Sequence, residues 1–135
     1  MQVRRTPGTA EINPLLGAGP DGDQALTVRV EHLDRTTVVA IAGEIDLVTA
    51  AGLDETLQAE LEAKPAVLVL DLTAVDFFTS VGLTTVALAQ RGADERGVAL
   101  RVVADSRRVL RPLQITGMDR TLALYPSRTA ALGDA

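Results

Sequence analysis

The sequence lacks cysteine and tryptophan, and it has a single histidine and a single lysine among 135 residues. Without cysteine there can be no disulfide, no thiolate metal ligand and no cysteine nucleophile. One imidazole, His32, cannot supply the clustered ligands of an ordinary zinc site. There is also no G-x-x-x-x-G-K-[ST] loop and no Ser-His-Asp set that includes His32, so we expect neither self-contained catalysis nor a metal or other cofactor.

Aromatic residues and long apolar runs are also scarce. Tyr125, Phe77 and Phe78 are the only aromatic residues, too few for a platform that stacks single-stranded nucleic acid. A formal charge of −5 argues against the basic face that a nucleic-acid backbone requires. No apolar run approaches the roughly 20 residues of a membrane span, and no apolar signal-peptide segment follows Arg4 and Arg5. We therefore expect a cytoplasmic protein with no nucleic-acid or membrane partner.

One cluster departs from the acidic character of the chain. Arg107, Arg108 and Arg111 lie close together in the sequence, at helical spacing for two of them. The simplest interpretation of this cluster is a solvated helix face.

The chain is long enough for one domain and too short for two cores. With 47% hydrophobic residues it can bury roughly two thirds of its unfolded surface. Three prolines and four glycines fall among the first 24 residues, a density of helix and strand breakers that disfavours regular structure. We predict a flexible N-terminal tail over residues 1–24 and a folded domain over residues 25–135.

From Leu26 onward, apolar periodicity and breakers alternate regularly. The first helix is expected between a cap at Asp46 or Thr49 and a stop at Lys64 and Pro65. Pro112 is expected to interrupt or delay the third helix, because it lacks a backbone N–H. The predicted strands cover 26–31, 37–42, 67–72, 98–103 and 122–125, and the other helices cover 81–91, 106–117 and the residues after Pro126.

This alternation predicts an α/β domain with a mixed, largely parallel sheet, an N-terminal hairpin and about four helices. Loops that follow parallel strands lie at one edge of a sheet. Three such loops are predicted, over 43–46, 73–80 and 104–107. Glu44, Asp46, Thr79 and Ser80 should therefore lie near one another at that edge, either as ordinary caps and turn residues or as a site.

The most informative segment runs from Val67 to Leu83, with the sequence VLVLDLTAVDFFTSVGL. An unalternated apolar block predicts a strand buried on both faces, and a hydroxyl pair precedes the next helix. Ser80 is expected to be the N-cap, with Oγ accepting from the N–H of Gly82 or of Leu83. Thr79 and Ser80 would then lie where free backbone N–H groups can receive an anion.

The same segment resembles the signature loop of the anti-sigma factor antagonists, which belong to the STAS class (sulphate transporter and anti-sigma factor antagonist). The residues that match the pattern D-L-S-x-V-x-F-[MI]-D-S-[ST]-G-L are Asp71, Leu72, Val75, Phe77, Ser80, Gly82 and Leu83. A second segment, AGEIDLVTAAGL, is similar to the family's G-E-[IL]-D-x-x-T-A-x-x-L. Its matching residues are Gly43, Glu44, Asp46, Thr49, Ala50 and Leu53.

The resemblance implies a STAS-like domain that is a regulatory protein and not an enzyme. Ser80 matches the serine that a partner kinase, itself the anti-sigma factor, phosphorylates in the family; Thr79 is the less favoured acceptor. Thr79 replaces the usual aspartate and Val81 the usual serine or threonine. The resemblance assigns partner binding to Gly43, Glu44, Asp46, Thr49, Thr79, Ser80, Val81 and Gly82.

Further partners implied by the resemblance are a phosphoserine phosphatase and, as a possible homodimer, a second copy of the chain. The main alternative is a STAS subunit that docks on the ATPase of an ABC-type lipid transport complex without phosphorylation. A stand-alone enzyme on a flavodoxin-like sheet is the third hypothesis.

Overall fold

The computed structural model describes residues 10–14 and 26–133 of the chain. In chain order its elements are β1 (Ala10–Pro14), β2 (Leu26–Leu33), β3 (Thr36–Glu44), α1 (Leu47–Glu62), β4 (Val67–Phe77), α2 (Ser80–Arg96), β5 (Ala99–Val103), α3 (Arg107–Thr116), a 3₁₀ turn (Met118–Arg120), β6 (Ala123–Tyr125) and α4 (Arg128–Leu132).

The strands of the described residues form one six-stranded sheet, in which they lie side by side in sequence order. β1, β2 and β3 are antiparallel neighbours, whereas β3 to β6 run parallel to one another. Each parallel pair is joined through a helix, as the geometry of parallel pairing requires. The predicted α/β fold, with an N-terminal hairpin and a largely parallel remainder, is confirmed.

β1 lies inside the range predicted to be a flexible tail. Its backbone pairs with β2, from Ala10 opposite Glu31 to Pro14 opposite Thr27. The prediction that breakers disfavour regular structure is therefore wrong for residues 10–14. Proline is tolerated in this position because β1 has a strand on one side only. The other residues of the predicted tail lie outside the described part of the chain.

β4 is longer than predicted. It continues to Phe77, whereas the sequence predicted a strand ending at Leu72 and a loop over 73–80. The register between β3 and β4 shifts in this stretch, which is the mark of a β-bulge. Asp71 supports the bulge, because its Oδ1 accepts hydrogen bonds from the backbone N–H of Thr73 at 3.0 Å and from the Thr73 hydroxyl at 2.8 Å. The polar residues that suggested a loop thus belong to a bulged strand.

Apolar side chains cover both faces of the sheet. Leu68, Leu70 and Leu72 of β4 enter the main core, which lies between the sheet and the helices α1, α2 and α3. On the other face, Val69 belongs to a smaller cluster that includes Ala131 of α4. The absence of polar alternation in β4 follows from this burial on both sides.

α4 is held to the sheet by an ionic network. The guanidinium of Arg128 contacts Asp71 Oδ2 through Nε at 3.2 Å and Nη2 at 3.0 Å, and Nη1 contacts Glu31 Oε1 at 2.7 Å. The Asp71 side chain is only 9% exposed. One of the residues that match the family pattern therefore has a structural role, joining β4, its bulge and α4.

Two helices differ from their predicted limits. α2 continues past Arg91 to Arg96 and ends at Gly97, which has the left-handed φ of 71° that favours glycine at this position. α3 runs without a break although Pro112 lies inside it, so the predicted interruption is wrong. Val109 and Leu113 of α3 are fully buried, and this packing outweighs the one hydrogen bond that proline removes.

Candidate functional site

The ends of β3 and β4 meet at one edge of the sheet. Glu44 lies opposite Phe77 in the parallel register, and the N–H of Ile45 donates to the carbonyl of Phe77 at 3.3 Å. Because α1 and α2 begin a few residues later, their N-termini lie at this edge too. We call residues 43–48 and 76–82 the rim.

α1 begins with a complete capping box. Asp46 Oδ1 accepts hydrogen bonds from the N–H of Val48 at 2.9 Å and of Thr49 at 3.1 Å. The Thr49 hydroxyl in turn accepts from the N–H of Asp46 at 3.1 Å. Of the two predicted caps, Asp46 is the N-cap and the buried Thr49 is its reciprocal partner three residues later.

α2 begins without any side-chain cap. Thr79 is its N-cap, with an extended backbone at φ −125° and ψ −156°, and its side chain makes no capping hydrogen bond. The prediction that Ser80 is the N-cap is wrong, since the carbonyl of Thr79 already accepts from the N–H of Leu83 at 3.0 Å and Ser80 is the first helical residue. Within the described residues no hydrogen bond involves the Ser80 hydroxyl, and the residue is exposed.

The eight residues that the resemblance assigns to partner binding differ in exposure. The exposed ones are Glu44, Thr79 and Ser80. The half-buried ones are Gly43, Asp46 and Val81, and the buried ones are Thr49 and Gly82. Only the first two groups can contact a partner directly, so Thr49 and Gly82 serve the shape of the rim.

Gly82 has a steric reason to be glycine. A Cβ at this position would lie 2.6 Å from Cδ1 of Phe78, closer than real Cβ atoms approach a neighbour. Phe78 is itself 5% exposed and belongs to the main core. The missing side chain therefore lets the first turn of α2 pack directly on the ring.

The sequence profile of the STAS domain family matches residues 27–131, which include the whole rim. This chain belongs to the STAS domain family. It is 37% identical over 108 residues to the anti-sigma-F factor antagonist RsfB of Mycobacterium tuberculosis, covering 80% of this chain and 88% of the relative. It is 33% identical over 88 residues to the anti-sigma-B factor antagonist of Listeria monocytogenes, covering 65% and 74% respectively.

A solved structure agrees with this assignment. The crystal structure of an anti-sigma factor antagonist from Mycobacterium paratuberculosis matches the STAS domain with a TM-score of 0.76 at 38% identity, covering 87% of this chain and 97% of the other. The resemblance that the two sequence motifs indicated is confirmed.

The rim of this STAS domain also carries exposed apolar side chains, which the sequence analysis missed. Leu47 is 83% exposed, Val48 64% and Phe77 46%. Leu47 and Val48 are apolar but lie outside the repeat of buried leucines that starts at Leu53. Their position outside this repeat could have indicated from the sequence that they are exposed. Exposed apolar groups gathered at one place mark interaction surfaces.

The charged side chains of the rim are all acidic. They are Glu44, Asp46 and Asp76, and the rim has no lysine, arginine or histidine. No side chain there can act as an imidazole base or neutralise a phosphate. The rim of the STAS domain therefore presents the exposed Ser80 hydroxyl and the uncapped N–H groups of the first turn of α2, beside three acidic side chains.

The described residues show neither a metal-binding cluster nor a membrane-spanning helix. In that part of the STAS domain, no three His, Cys, Asp or Glu side chains are grouped so that they could hold a metal ion. The only histidine, His32, pairs through Nε2 with Glu60 Oε1 at 2.9 Å. None of the helices described is both long enough and apolar enough to cross a membrane.

Proposed function

We propose that this protein is an anti-sigma factor antagonist in which Ser80 is a phosphorylation switch. In the unphosphorylated form, the rim binds an anti-sigma factor serine kinase, which then releases a sigma factor. Phosphorylation of Ser80 abolishes this binding. The observation that carries the proposal is the exposed Ser80 hydroxyl, which begins a helix that no side chain caps.

The relatives support the first part of the proposal. RsfB of Mycobacterium tuberculosis and the Listeria monocytogenes protein are both named as antagonists of an anti-sigma factor. This chain spans 88% of the first and 74% of the second. A protein that shares the fold and most of the length of such relatives is expected to act on the same class of partner.

The uncapped start of α2 supports the second part. A phosphate on Ser80 would bring close to two negative charges to a helix N-terminus, where the macrodipole favours an anion by ~0.3–1 kcal/mol. The N–H groups of the first turn have no side-chain acceptor to compete with it. The free protein should therefore tolerate the modification without losing its fold.

The cost of the phosphate should arise in the complex. Leu47, Val48 and Phe77 are exposed apolar side chains that a partner would cover, and the rim has no cation that could pair with a dianion there. Moving a charged phosphate into such an interface without a cationic partner costs several kcal/mol, on the order of a hundredfold in affinity. The switch would thus act at the interface and not through unfolding.

The proposed partner surface follows from the exposure of the rim. Its polar contacts are Glu44, Asp46, Thr79 and Ser80, and its apolar contacts are the three exposed side chains together with the half-buried Val81. The half-buried Gly43 lies among these contacts, and the buried Thr49 and Gly82 shape the backbone beneath them. A phosphoserine phosphatase would restore the binding form, and the protein itself would act in the cytoplasm without catalysis of its own.

The direct test is a kinase assay with ATP and the anti-sigma factors encoded in the same genome. Wild type, Ser80→Ala and Thr79→Ala are incubated in parallel, and the site is located by mass spectrometry. We expect phosphate on Ser80 in wild type and Thr79→Ala, and none in Ser80→Ala. Binding of each product to the kinase is then measured by calorimetry.

Two results would contradict the proposal. One is an unphosphorylated wild type that binds none of the anti-sigma factors. The other is stable co-purification with a transporter ATPase in the absence of phosphorylation, which would favour the alternative of a transport subunit.

A further inference from the structure

An apolar groove of about 430 Å³ lies between α2 and α3, next to the rim. Its floor and wall include Leu83 of α2 with Pro112 and Ile115 of α3. Ile115 is 72% exposed. Leu83 belongs to the first turn of the helix that Ser80 begins, so the groove adjoins the proposed partner surface at that turn and extends from it over α3.

Three arginines border this groove, Arg107, Arg108 and Arg111. All three are exposed, and none of them forms a salt bridge within residues 26–133. Arg107 and Arg108 occupy the first turn of α3, which has no acidic residue. A helix macrodipole disfavours cations at that end, so this placement does not help the isolated helix.

The charge of the groove contrasts with the rest of the molecule. The chain has a net charge of −5 and the rim has no basic residue, whereas the charged residues that line the groove are all arginines. Apolar grooves between helices typically receive the apolar face of another amphipathic helix. Arginines beside such a groove favour carboxylates on the incoming helix, since a guanidinium pairs with a carboxylate through two hydrogen bonds.

We propose that the groove receives an acidic amphipathic helix of the anti-sigma factor, as a second contact beyond the rim. Its apolar side chains would fill the space beside Leu83 and Ile115, and its carboxylates would pair with the arginines. This proposal rests on the proposed function for the identity of the partner. A lipid surface is the competing occupant, and the vesicle measurement below tests it.

The test compares groove variants with the rim variant Ser80→Asp, all in the full chain and titrated with the anti-sigma factor that phosphorylates the wild type. The groove variants are Ile115→Ser and the double variant Arg108→Glu with Arg111→Glu. Leu88→Ser and Arg120→Glu are matched controls, since Leu88 is 40% exposed and neither residue lines the groove. We expect each groove variant to lose at least tenfold in affinity, the controls to bind as wild type, and the arginine variant to show a weaker salt dependence.

The outcomes separate the two proposals. If Ser80→Asp loses affinity while the groove variants bind as wild type, the second contact is wrong and the proposed function stands. If wild type itself binds no anti-sigma factor, the proposed function fails. Flotation with phosphatidylglycerol vesicles is the third measurement, and vesicle binding that requires the same arginines would overturn the assignment of the groove to a protein helix.

Discussion

Two helices, α1 and α2, begin side by side at the rim, and they differ in how their first turns are capped. α1 has a closed capping box, in which Asp46 and Thr49 each satisfy a backbone N–H of the other. α2 has an extended Thr79 with no capping hydrogen bond, followed by the exposed Ser80. At the start of α1, side chains of the chain itself accept the hydrogen bonds of the backbone N–H groups. At the start of α2 the backbone N–H groups have no side-chain acceptor among the described residues and can bind one from another molecule.

The difference corrects one of the two caps that the sequence indicated. Ser80 was expected to cap α2, and Asp46 was expected either to cap α1 or to face a partner. In the structure Asp46 is the cap, whereas the Ser80 side chain contributes no hydrogen bond to the start of α2. Because the Ser80 hydroxyl makes no hydrogen bond within the described part of the chain, its modification should cost the fold little, as the proposed switch requires.

The largest expected effect concerns binding. Ser80→Asp should lower the affinity for the anti-sigma factor by about a hundredfold, which corresponds to ~2.7 kcal/mol. Its melting temperature should be unchanged or slightly raised, because a carboxylate in the first turn of an uncapped helix is favourable. Calorimetric titration and thermal unfolding together check both. Loss of the fold in Ser80→Asp, or an unchanged affinity, would contradict the contrast between the two helix starts.

The next effect concerns packing below the start of α2. Gly82→Ala should lower the free energy of unfolding by ~1–2 kcal/mol. The new methyl group would overlap the Phe78 ring, and this destabilisation exceeds the stabilisation expected from the higher helix propensity of alanine. Urea unfolding of the single variant checks the loss. In a Phe78→Leu background the same change should cost much less, and an equal cost there would mean that the ring is not the obstacle.

A smaller loss is expected at the start of α1. Asp46→Ala removes the acceptor for two N–H groups and should cost ~1 kcal/mol. Asp46→Asn is the matched variant, because asparagine caps a helix equally well while it removes the charge. Chemical unfolding should therefore distinguish alanine from asparagine. If the asparagine variant unfolds like wild type but binds the anti-sigma factor more weakly, the carboxylate also contacts the partner.

The smallest effect should be a gain. Thr79→Asp supplies the missing acceptor to α2 and should raise the free energy of unfolding by ~0.5–1 kcal/mol. Thr79→Ala should be neutral, because the threonine side chain makes no capping bond. Parallel unfolding curves of these two variants and wild type check the difference. A destabilised Thr79→Ala would mean that the threonine side chain supports α2 after all.

Much of the fold could be predicted because local chemistry determined it. The apolar block of Leu68 and its neighbours indicated a doubly covered strand, and the buried spacing of Leu53, Leu57 and Leu61 indicated α1. The choice between Asp46 and Thr49 as cap stayed open, since both residue types occur there and each takes part in one box.

The errors came from interactions between distant residues. The bulge after Asp71 depends on the register with β3, which no local pattern reveals. Pro112 is tolerated because of the burial of its neighbours in α3. The N-cap of α2 is Thr79 and not Ser80, and the sequence gave no means of distinguishing two adjacent hydroxyl residues.

The pairing of β1 with β2 also affects whether two copies of this protein can associate through the edge of the sheet. β1 occupies the edge of β2 that would otherwise present free N–H and C=O groups along Leu26–Leu33. A chain shortened to begin at residue 24 would keep the rim and lose this cover. An uncovered strand of that length is a template for a strand from a second molecule. Truncation should therefore reveal itself first as concentration-dependent self-association on a sizing column, before any loss of anti-sigma factor binding.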